Sequence, residues 1–463
     1  MNLLLLGILA YLVVQFGIGI WASRRVRSEA DYLLAGRSLG YPLATFSFFA
    51  TWFGAETVMG SAGTAYRSGA SLANAEPFGY GLCLVGMGLL FARPLWRRQL
   101  TTLADLFRTR YSVQVERVAA VILIPSSIMW AAAQVRAFGQ VLSLAGTFQL
   151  ETAIALATGF TILYTVFGGL LADAVTDLVQ GVTVMLGLIV VLIAVIMALP
   201  DGVTVGSVLA APGAVTVRPP DDVTWLALLE EWSIPVCGSL IATELVGRVV
   251  ATRSENVAAR SALLAGAMYV AVGLIPLLIG LVGRQVVPPL ADAEQVVPAV
   301  AQQLLPTGLF IVFVGGLLSA ILSTVDSTLL VSSGLLSHNL IVPVFGIVSE
   351  AQKVRVARLG VASFGVIAFV LAVRAEGVFA LVEQASAFGS SGALVVVVFA
   401  LFTGWGGART AMATLLVGLA SYLAGTFGGV EAPFLASMLL SLLTYIVGGV
   451  LEGRKSAVPL AER

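Results

Sequence analysis

A polar stretch inside a long apolar run carries the groups best suited to bind an ion. Residues 319–330 read SAILSTVDSTLL, with three serines, two threonines and one aspartate. At about 100° per residue, a helix gathers five of these side chains along one face and its border: Ser319, Ser323, Asp326, Ser327 and Thr324. A carboxylate at the centre of a membrane costs at least about 2.5 kcal/mol and commonly marks an ion path. Hydroxyl and carboxylate oxygens bind hard cations, so this face predicts a sodium site.

Two other apolar segments contain residues that interrupt a helix. Residues 49–63 read FATWFGAETVMGSAG, with Gly54 near the middle, and residues 230–240 read EEWSIPVCGSL, with Pro235 in the middle. Proline removes a helical N–H donor, and backbone freed at membrane depth has to line a cavity or be buried in protein. We predict that sodium binds between the polar face and the first break, near residues 52–53.

The positions of the two breaks indicate an internal repeat. They lie five predicted spans apart, and this odd offset gives the two segments opposite orientations across the membrane. Interrupted helices at matching positions of two inverted halves are typical of secondary transporters, in which they form the ion and substrate sites. The alternative is an ordinary kink in each helix, and the matched pair favours the site.

Composition places the whole chain in a membrane. Of 463 residues, 59% are hydrophobic and 11% are charged, and the mean hydropathy is +1.00. Soluble domains do not have this composition, and runs of about 20 apolar residues, enough to cross a bilayer, recur almost end to end. We predict an all-α polytopic protein with about thirteen transmembrane helices, at residues 2–22, 41–66, 73–93, 114–144, 150–167, 172–199, 223–248, 258–283, 307–341, 354–374, 377–403, 409–428 and 432–451.

These spans group into a single membrane transport domain, residues 1–463. Within it we expect a leading helix, two inverted repeats and two C-terminal helices, at residues 2–22, 41–199, 223–403 and 409–451.

The distribution of basic residues predicts the orientation. With the N-terminus outside, twenty of the 25 lysines and arginines, Arg248 among them, fall on inner loops and helix ends. The outer side keeps the other five: Arg67, Arg136, Arg218, Arg284 and Arg374. Basic residues accumulate on the cytoplasmic side of membrane proteins. We therefore expect a multi-pass protein of the inner (plasma) membrane with a cytoplasmic C-terminus.

The sequence lacks the motifs of an ATPase or a metal hydrolase. It contains no G-x-x-x-x-G-K-[ST] loop, no H-E-x-x-H pair and no paired C-x-x-C. We expect a protein that is not an enzyme and draws its energy from an ion gradient. The expected partners are a small-molecule solute, sodium and the lipid bilayer, and nothing indicates a nucleic-acid partner or an obligatory protein partner.

Further acidic residues fall within apolar segments. Asp173 and Asp177 are one helical turn apart; we expect Asp173 at the inner interface and Asp177 deeper, where it is better placed to serve an ion. Glu56 follows the first break, where two roles stay open: capping the positive end of the next half-helix, or transport. Two roles also stay open for Glu76: a structural pairing, or a contact with a substrate amine.

Three aromatic residues lie in or near the interrupted spans. Trp52 is at the first break, and Tyr80 and Trp130 lie in the third and fourth predicted spans. Such rings are commonly core or lipid-facing residues. If they converge, they form a stacking or cation–π wall for a substrate.

The chain resembles the sodium:solute symporter family from about residue 31 to residue 404. Four segments carry the resemblance: DYLLAGRSLG (31–40), YTVFGGLLADAVTDLVQ (164–180), VAARSALLAGAMYVAVG (257–273) and LSTVDSTLLVSSGLLSHNL (322–340). The resemblance implies the inverted five-plus-five helix core of the leucine-transporter type, with additional N- and C-terminal helices. It also implies Na+ coupling, transport by alternating access and no enzymatic activity.

The resemblance assigns ion ligands by matched position. One sodium is expected at the carbonyl groups of Ala50, Phe53 and Ala320 and the hydroxyl groups of Ser323 and Thr324. A second sodium, present in some members, is expected at Asp177, Ser323, Asp326 and Ser327. Coupling to protons instead of sodium stays open.

The solute is less constrained than the ion. The segments ATWFGAETVMGSA, FGYGLCLVGMGLLFARPL and MWAAAQV are most similar to the choline branch of the family, which implies a choline-like cation, while an amino acid is the other candidate. Substrate contacts are expected from Trp52, Glu56, Glu76, Tyr80, Trp130 and Val236, the last standing where the choline branch has a tryptophan. The alternative function is a transporter-like solute sensor without uphill transport.

Overall fold

The computed structural model describes residues 3–24, 26–71, 73–145, 148–216, 223–375 and 377–452, and most of them are helical. The first half contains α1 (Leu3–Ser23), α2 (Glu29–Leu34), α3 (Tyr41–Trp52), α4 (Ser61–Ser68), α5 (Phe78–Gly86), α6 (Ala92–Arg97), α7 (Ala104–Arg110), α8 (Val113–Ala145), α9 (Leu150–Met197) and α10 (Val205–Leu209). Short 3₁₀ and π-helical turns join these helices at Ala35–Arg37, Glu56–Gly60 and Met87–Phe91.

The second half contains α11 (Trp225–Ser233), α12 (Thr243–Ala251), α13 (Glu255–Gly283), α14 (Val296–Leu304), α15 (Thr307–Gly334), α16 (Val342–Phe345), α17 (Glu350–Arg374), α18 (Val378–Ser390), α19 (Ala393–Phe402), α20 (Ala408–Phe427) and α21 (Pro433–Glu452). Its π-helical turns are Ile234–Gly238 and Leu335–Ile341, and a 3₁₀ turn covers Ala293–Gln295. Two short parallel strands, β1 (Ala70–Ser71) and β2 (Val215–Thr216), link two loops.

Nine helices of the described residues are long and apolar enough to cross a membrane, or up to ten if the bent pair Ala380–Ser390 and Ala393–Phe402 forms one span. The predicted number was about thirteen. Part of the difference arises because the span predicted at 41–66 is divided between α3 and α4, and neither part is long enough alone. In addition, α9 runs for 48 residues through two predicted spans.

Gly169 separates the two halves of α9. Its φ of +69° lies outside the helical region, so the helix axis changes direction there. A Cβ atom at this position would lie 2.9 Å from Cδ2 of Tyr32 and 3.1 Å from its carbonyl oxygen. Glycine satisfies both constraints, since it has no Cβ and adopts positive φ readily.

The predicted polar face of α15 lies in the centre of the molecule. Every residue from Phe313 to Leu330 is buried, and α15 packs against α3, α8, α9 and α17. Such a helix is buried on all sides, which explains why its polar groups face protein and not lipid.

Both predicted helix breaks are present. The first lies between the end of α3 at Trp52 and the π-helical turn that starts at Glu56. The second follows the turn Ile234–Gly238, which contains Pro235, and precedes α12 at Thr243. Arg25, Arg218 and the C-terminal residues 453–463, which contributed to the predicted orientation, lie outside the described residues.

Replacing Gly169 by alanine tests the role of this junction. We expect Gly169→Ala to lower the apparent Tm of the purified protein, because positive φ strains alanine by about 1–3 kcal/mol and its Cβ meets Tyr32. Gly159→Ala is the matched control, since Gly159 lies in the same helix and a Cβ there meets nothing within 4 Å. Equal Tm values for the two variants would contradict this explanation.

Candidate functional site

The backbone at the first break leaves two carbonyl groups without their helical partners. The amide of Gly54 bonds to the carbonyl of Trp52 at 2.9 Å, and the amide of Ala55 donates to Oε1 of Gln134 at 3.0 Å. In a continuous helix these amides would bond to the carbonyls of Ala50 and Thr51. Both carbonyl oxygens are therefore available to other groups.

Thr324 of α15 meets these carbonyl groups. Its hydroxyl oxygen lies 3.3 Å from the carbonyl oxygen of Ala50, 3.5 Å from that of Thr51 and 3.4 Å from that of Ala320. One hydroxyl hydrogen cannot satisfy three acceptors, so the cluster has more acceptor than donor capacity. Three residues expected to bind sodium thus lie together, and Phe53 is the next residue after α3, directly at the break.

Ser323 contacts a different group, the carboxylate of Asp177 on α9. The Ser323 hydroxyl donates to Oδ1 of Asp177, and the Ser47 hydroxyl donates to Oδ2 at 2.6 Å. All three residues are buried. Asp177 therefore links α3, α9 and α15, one helical turn from the carbonyl groups of Ala50, Thr51 and Ala320.

Arg248 supplies a positive charge in the same region. Its guanidinium group is fully buried, 2.6 Å from Oδ2 of Asp173 and 3.6 Å from Oδ2 of Asp177. It also donates to the hydroxyl of Ser327 and, at 3.2 Å, to the carbonyl of Ser47. Arg248 and Asp173 are thus both fully buried inside the protein and paired with each other, a pairing that was not predicted from the sequence.

Three of the four residues expected to bind a second sodium are in contact. Asp177 and Ser323 are bonded to each other, and the Ser327 hydroxyl lies 2.7 Å from the carbonyl oxygen of Ser323 and 3.0 Å from Oδ2 of Asp173. Asp326 lies near Gly168 of α9, where a Cβ would come within 3.9 Å of Oδ2. Among the described residues, neither carboxylate oxygen of Asp326 has a hydrogen-bond partner.

The three predicted aromatic residues converge beside the first break. The indole rings of Trp52 and Trp130 stack with centroids 4.7 Å apart and an interplanar angle of 9°. The Tyr80 ring lies 6.0 Å from Trp52 and 6.1 Å from Trp130. Tyr269 of α13, which the sequence analysis missed, adds a fourth ring 6.3 Å from Tyr80.

Two buried glutamates border this aromatic cluster, Trp52, Tyr80, Trp130 and Tyr269. Oε1 of Glu76 accepts hydrogen bonds from Thr57 at 2.6 Å and from Tyr269 at 2.5 Å. Oε2 of Glu56 accepts one from the side-chain amide of Gln134 at 2.6 Å.

Val236 lies in the second break. It is half-buried, and it is not among the residues that line the crevice beside Pro235 and Tyr80.

Three residues of this region were not predicted from the sequence, although their positions are unusual. Gln134, Arg248 and Tyr269 are polar or amphipathic residues inside predicted apolar spans, which are uncommon positions for such groups. Their partners lie 75 to 217 residues away along the chain, so only the folded structure identifies them.

Solved structures with the same architecture show the fold. The chain matches a Na+-coupled sialic acid symporter with a TM-score of 0.85 over 97% of both chains, at 17% identity. It matches the nucleobase-cation-symport-1 family transporter Mhp1 with a TM-score of 0.63 over 91% of this chain and 94% of the other, at 18% identity. The protein has the leucine-transporter-like fold of Na+-coupled transporters.

Sequence comparison identifies the family. Residues 32–418 match the sodium:solute symporter family, and the chain belongs to it. The family consists of sodium-coupled transporters and not enzymes, as predicted.

Named relatives fall into two groups. High-affinity choline transporter 1 of Drosophila melanogaster is 27% identical over 82% of this chain and 63% of its own length. The human high affinity choline transporter 1 is 28% identical over 81% of this chain and 69% of its own length. The sodium/pantothenate symporter of Escherichia coli is 26% identical over 96% of this chain and 95% of its own length.

Removing Arg248 should destabilise the protein strongly. Arg248→Ala leaves Asp173 and Asp177 buried without their positive charge, and breaking such a pair costs about 3–5 kcal/mol. The double variant Arg248→Met, Asp173→Asn removes one buried charge of each sign, so we expect it to be more stable than Arg248→Ala. Thermal unfolding in detergent measures both, and an unchanged Tm for Arg248→Ala would contradict the buried-pair assignment.

Proposed function

We propose that this protein is a sodium-coupled symporter that imports a small organic solute by alternating access. The observation that carries the proposal is the pair of carbonyl groups of Ala50 and Thr51, which lack their helical partners, at the hydroxyl of Thr324. Unwound backbone carbonyls at a helix break coordinate the coupling ion in transporters with inverted repeats. Membership in the sodium:solute symporter family supports the same ion.

The first sodium ion binds at Ala50, Phe53, Ala320, Ser323 and Thr324 in this proposal. These residues belong to the end of α3 and to α15, so the ion links a broken helix to a continuous one. An ion shifts a conformational equilibrium only by its different affinity for the two states. Sodium would favour the state in which the break and α15 are close, and its release would let them separate.

A second sodium site is proposed at Asp177, Ser323, Asp326 and Ser327, of which Asp177 and Ser323 are bonded through their side chains. Ser327 donates to Asp173 and accepts from Arg248, and Asp326 lies towards Gly168. Arg248 lies 3.6 Å from Asp177, and its charge opposes a cation there. We therefore expect weaker sodium binding at the second site than at the first.

The solute is proposed to be a choline-like cation or an amino acid. The four rings of the aromatic cluster give a surface on which a cationic group could stack. The similarity to choline transporters supports a cation. The buried carboxyl groups of Glu56 and Glu76 add negative charge beside these rings. Of the four rings, that of Tyr80 lines the crevice beside Pro235.

The topology is proposed to consist of thirteen crossings, with the N-terminus outside and the C-terminus in the cytoplasm. The leading helix, the inverted repeats and the C-terminal pair keep the boundaries 2–22, 41–199, 223–403 and 409–451. The matched breaks after Trp52 and after Gly238 support this division.

Uptake into proteoliposomes tests the proposal. Accumulation of choline, betaines, amino acids or small carboxylates should require an inward sodium gradient, and Ser323→Ala and Thr324→Ala should reduce it at least tenfold. Ser332→Ala is the matched control, because this buried serine lies on the same helix and bonds to the carbonyls of Thr328 and Leu329 of its own helix. Solute binding without sodium-driven accumulation would instead favour the alternative function, a transporter-like solute sensor.

A further inference from the structure

We infer that the solute binds through a protonated nitrogen that still carries N–H groups, and that this nitrogen is held by the free carboxylate oxygen of Glu76. The inference rests on the proposed function, which it deepens by naming the group that is recognised. It separates two solutes that the proposed function leaves together, because choline has no N–H group on its nitrogen and an amino acid has such groups.

A narrow crevice with three carboxylates leads to the aromatic cluster. It is lined by Glu76 and Tyr80 near the start of α5, by Glu231 and Pro235 near the second break, and by Glu383 of α18. Its volume is about 20 Å³, room for about one water molecule. None of the described residues that line it is basic, so the crevice attracts cations and repels anions.

Glu76 is the one carboxylate of the crevice that is almost completely buried, with 5% of its surface exposed. Its Oε1 accepts from the hydroxyls of Thr57 and Tyr269, which both also approach the carbonyl oxygen of Trp52. Its Oε2 is buried and has no hydrogen-bond partner among the described residues. Glu76 is therefore held in place through one oxygen, while the other is left to accept a hydrogen bond.

Glu76 also lines a second cavity. It measures about 320 Å³ and is bounded by α4, α13 and the loops that carry the two short strands. Most of its lining is apolar, including Leu277, Leu278 and Leu281, and Glu76 is the only ionisable residue among the described residues that line it. Both cavities thus converge on the same carboxylate, which favours Glu76 as the anchor for the charged end of a solute.

The unpaired Oε2 atom of Glu76 determines which kind of cation binds more tightly. A buried polar atom that stays unpaired is costly, and a charge-assisted hydrogen bond is about twice as strong as a neutral one. A protonated amine provides an N–H for Oε2 of Glu76 and can still lie against the aromatic rings. A quaternary ammonium ion provides only methyl groups, so its binding leaves that oxygen without a donor.

Two series of ligands test this inference, because each removes N–H groups one at a time without changing the charge. The first is ethanolamine, its N-methyl and N,N-dimethyl derivatives, and choline; the second is glycine, sarcosine, dimethylglycine and glycine betaine. Binding to the purified full-length protein is measured in sodium by thermal stabilisation and tryptophan fluorescence. The series that binds shows whether the solute also carries a carboxylate.

We expect the affinity to fall along the binding series, with the fully methylated member at least tenfold weaker than the best N–H-bearing member. Glu76→Gln should abolish this preference. Glu383→Gln changes another carboxylate of the same crevice, one that is less buried than Glu76. It should weaken all members alike and keep the preference. Stabilisation of each variant by sodium alone, measured in parallel, shows that it is folded.

Two results would overturn the inference. One is equal or tighter binding of choline or glycine betaine than of the members with N–H groups. The other is the absence of binding by every member of both series to a wild-type protein that sodium stabilises. Failure of the proposed function gives a different result from failure of this inference. In that case sodium alone produces no stabilisation, and Thr324→Ala behaves as the wild type.

Discussion

Backbone groups released at the break after Trp52 need partners inside the protein, because the hydrocarbon of the bilayer offers none. The amide of Ala55 finds Gln134 of α8, and the carbonyl of Ala50 faces Thr324 of α15. This requirement explains why two helices far apart in the sequence meet at one point. It also explains why the meeting point retains acceptor capacity, since carbonyl oxygens outnumber hydroxyl hydrogens there. A small cation that binds these carbonyl oxygens would use that excess acceptor capacity.

The charges next to this point are balanced inside the protein. Arg248 pairs with Asp173 and approaches Asp177, so that one buried guanidinium group serves two carboxylates. Buried pairs of this kind contribute little net stability, but the loss of one partner is severe. Asp177 contacts both Arg248 and Ser323, and Ser323 precedes Thr324. Any cation that binds near Asp177 therefore acts on an electrostatic network that links α3, α9, α12 and α15.

The sequence was informative where local chemistry decides the outcome. Pro235 and Gly54 mark breaks because they act on their own helix turn, and the membrane class and the family followed from composition and from continuous motifs. The number of crossings was harder, since Gly169 joins two predicted spans in one long bent helix. The pairing of Arg248 was not predicted because its partners Asp173 and Ser327 are 75 and 79 residues away, and no local pattern shows that pairing.

Equilibrium binding of radioactive sodium to the purified protein, without solute, tests the central claim most directly. We expect saturable binding by the wild type and at least a tenfold loss of affinity in Thr324→Val, which keeps the shape of the side chain and removes its hydroxyl oxygen. Ser332→Val on the same helix should bind sodium as the wild type does. Wild-type sodium affinity in Thr324→Val would contradict the assignment of the ion to the break after Trp52.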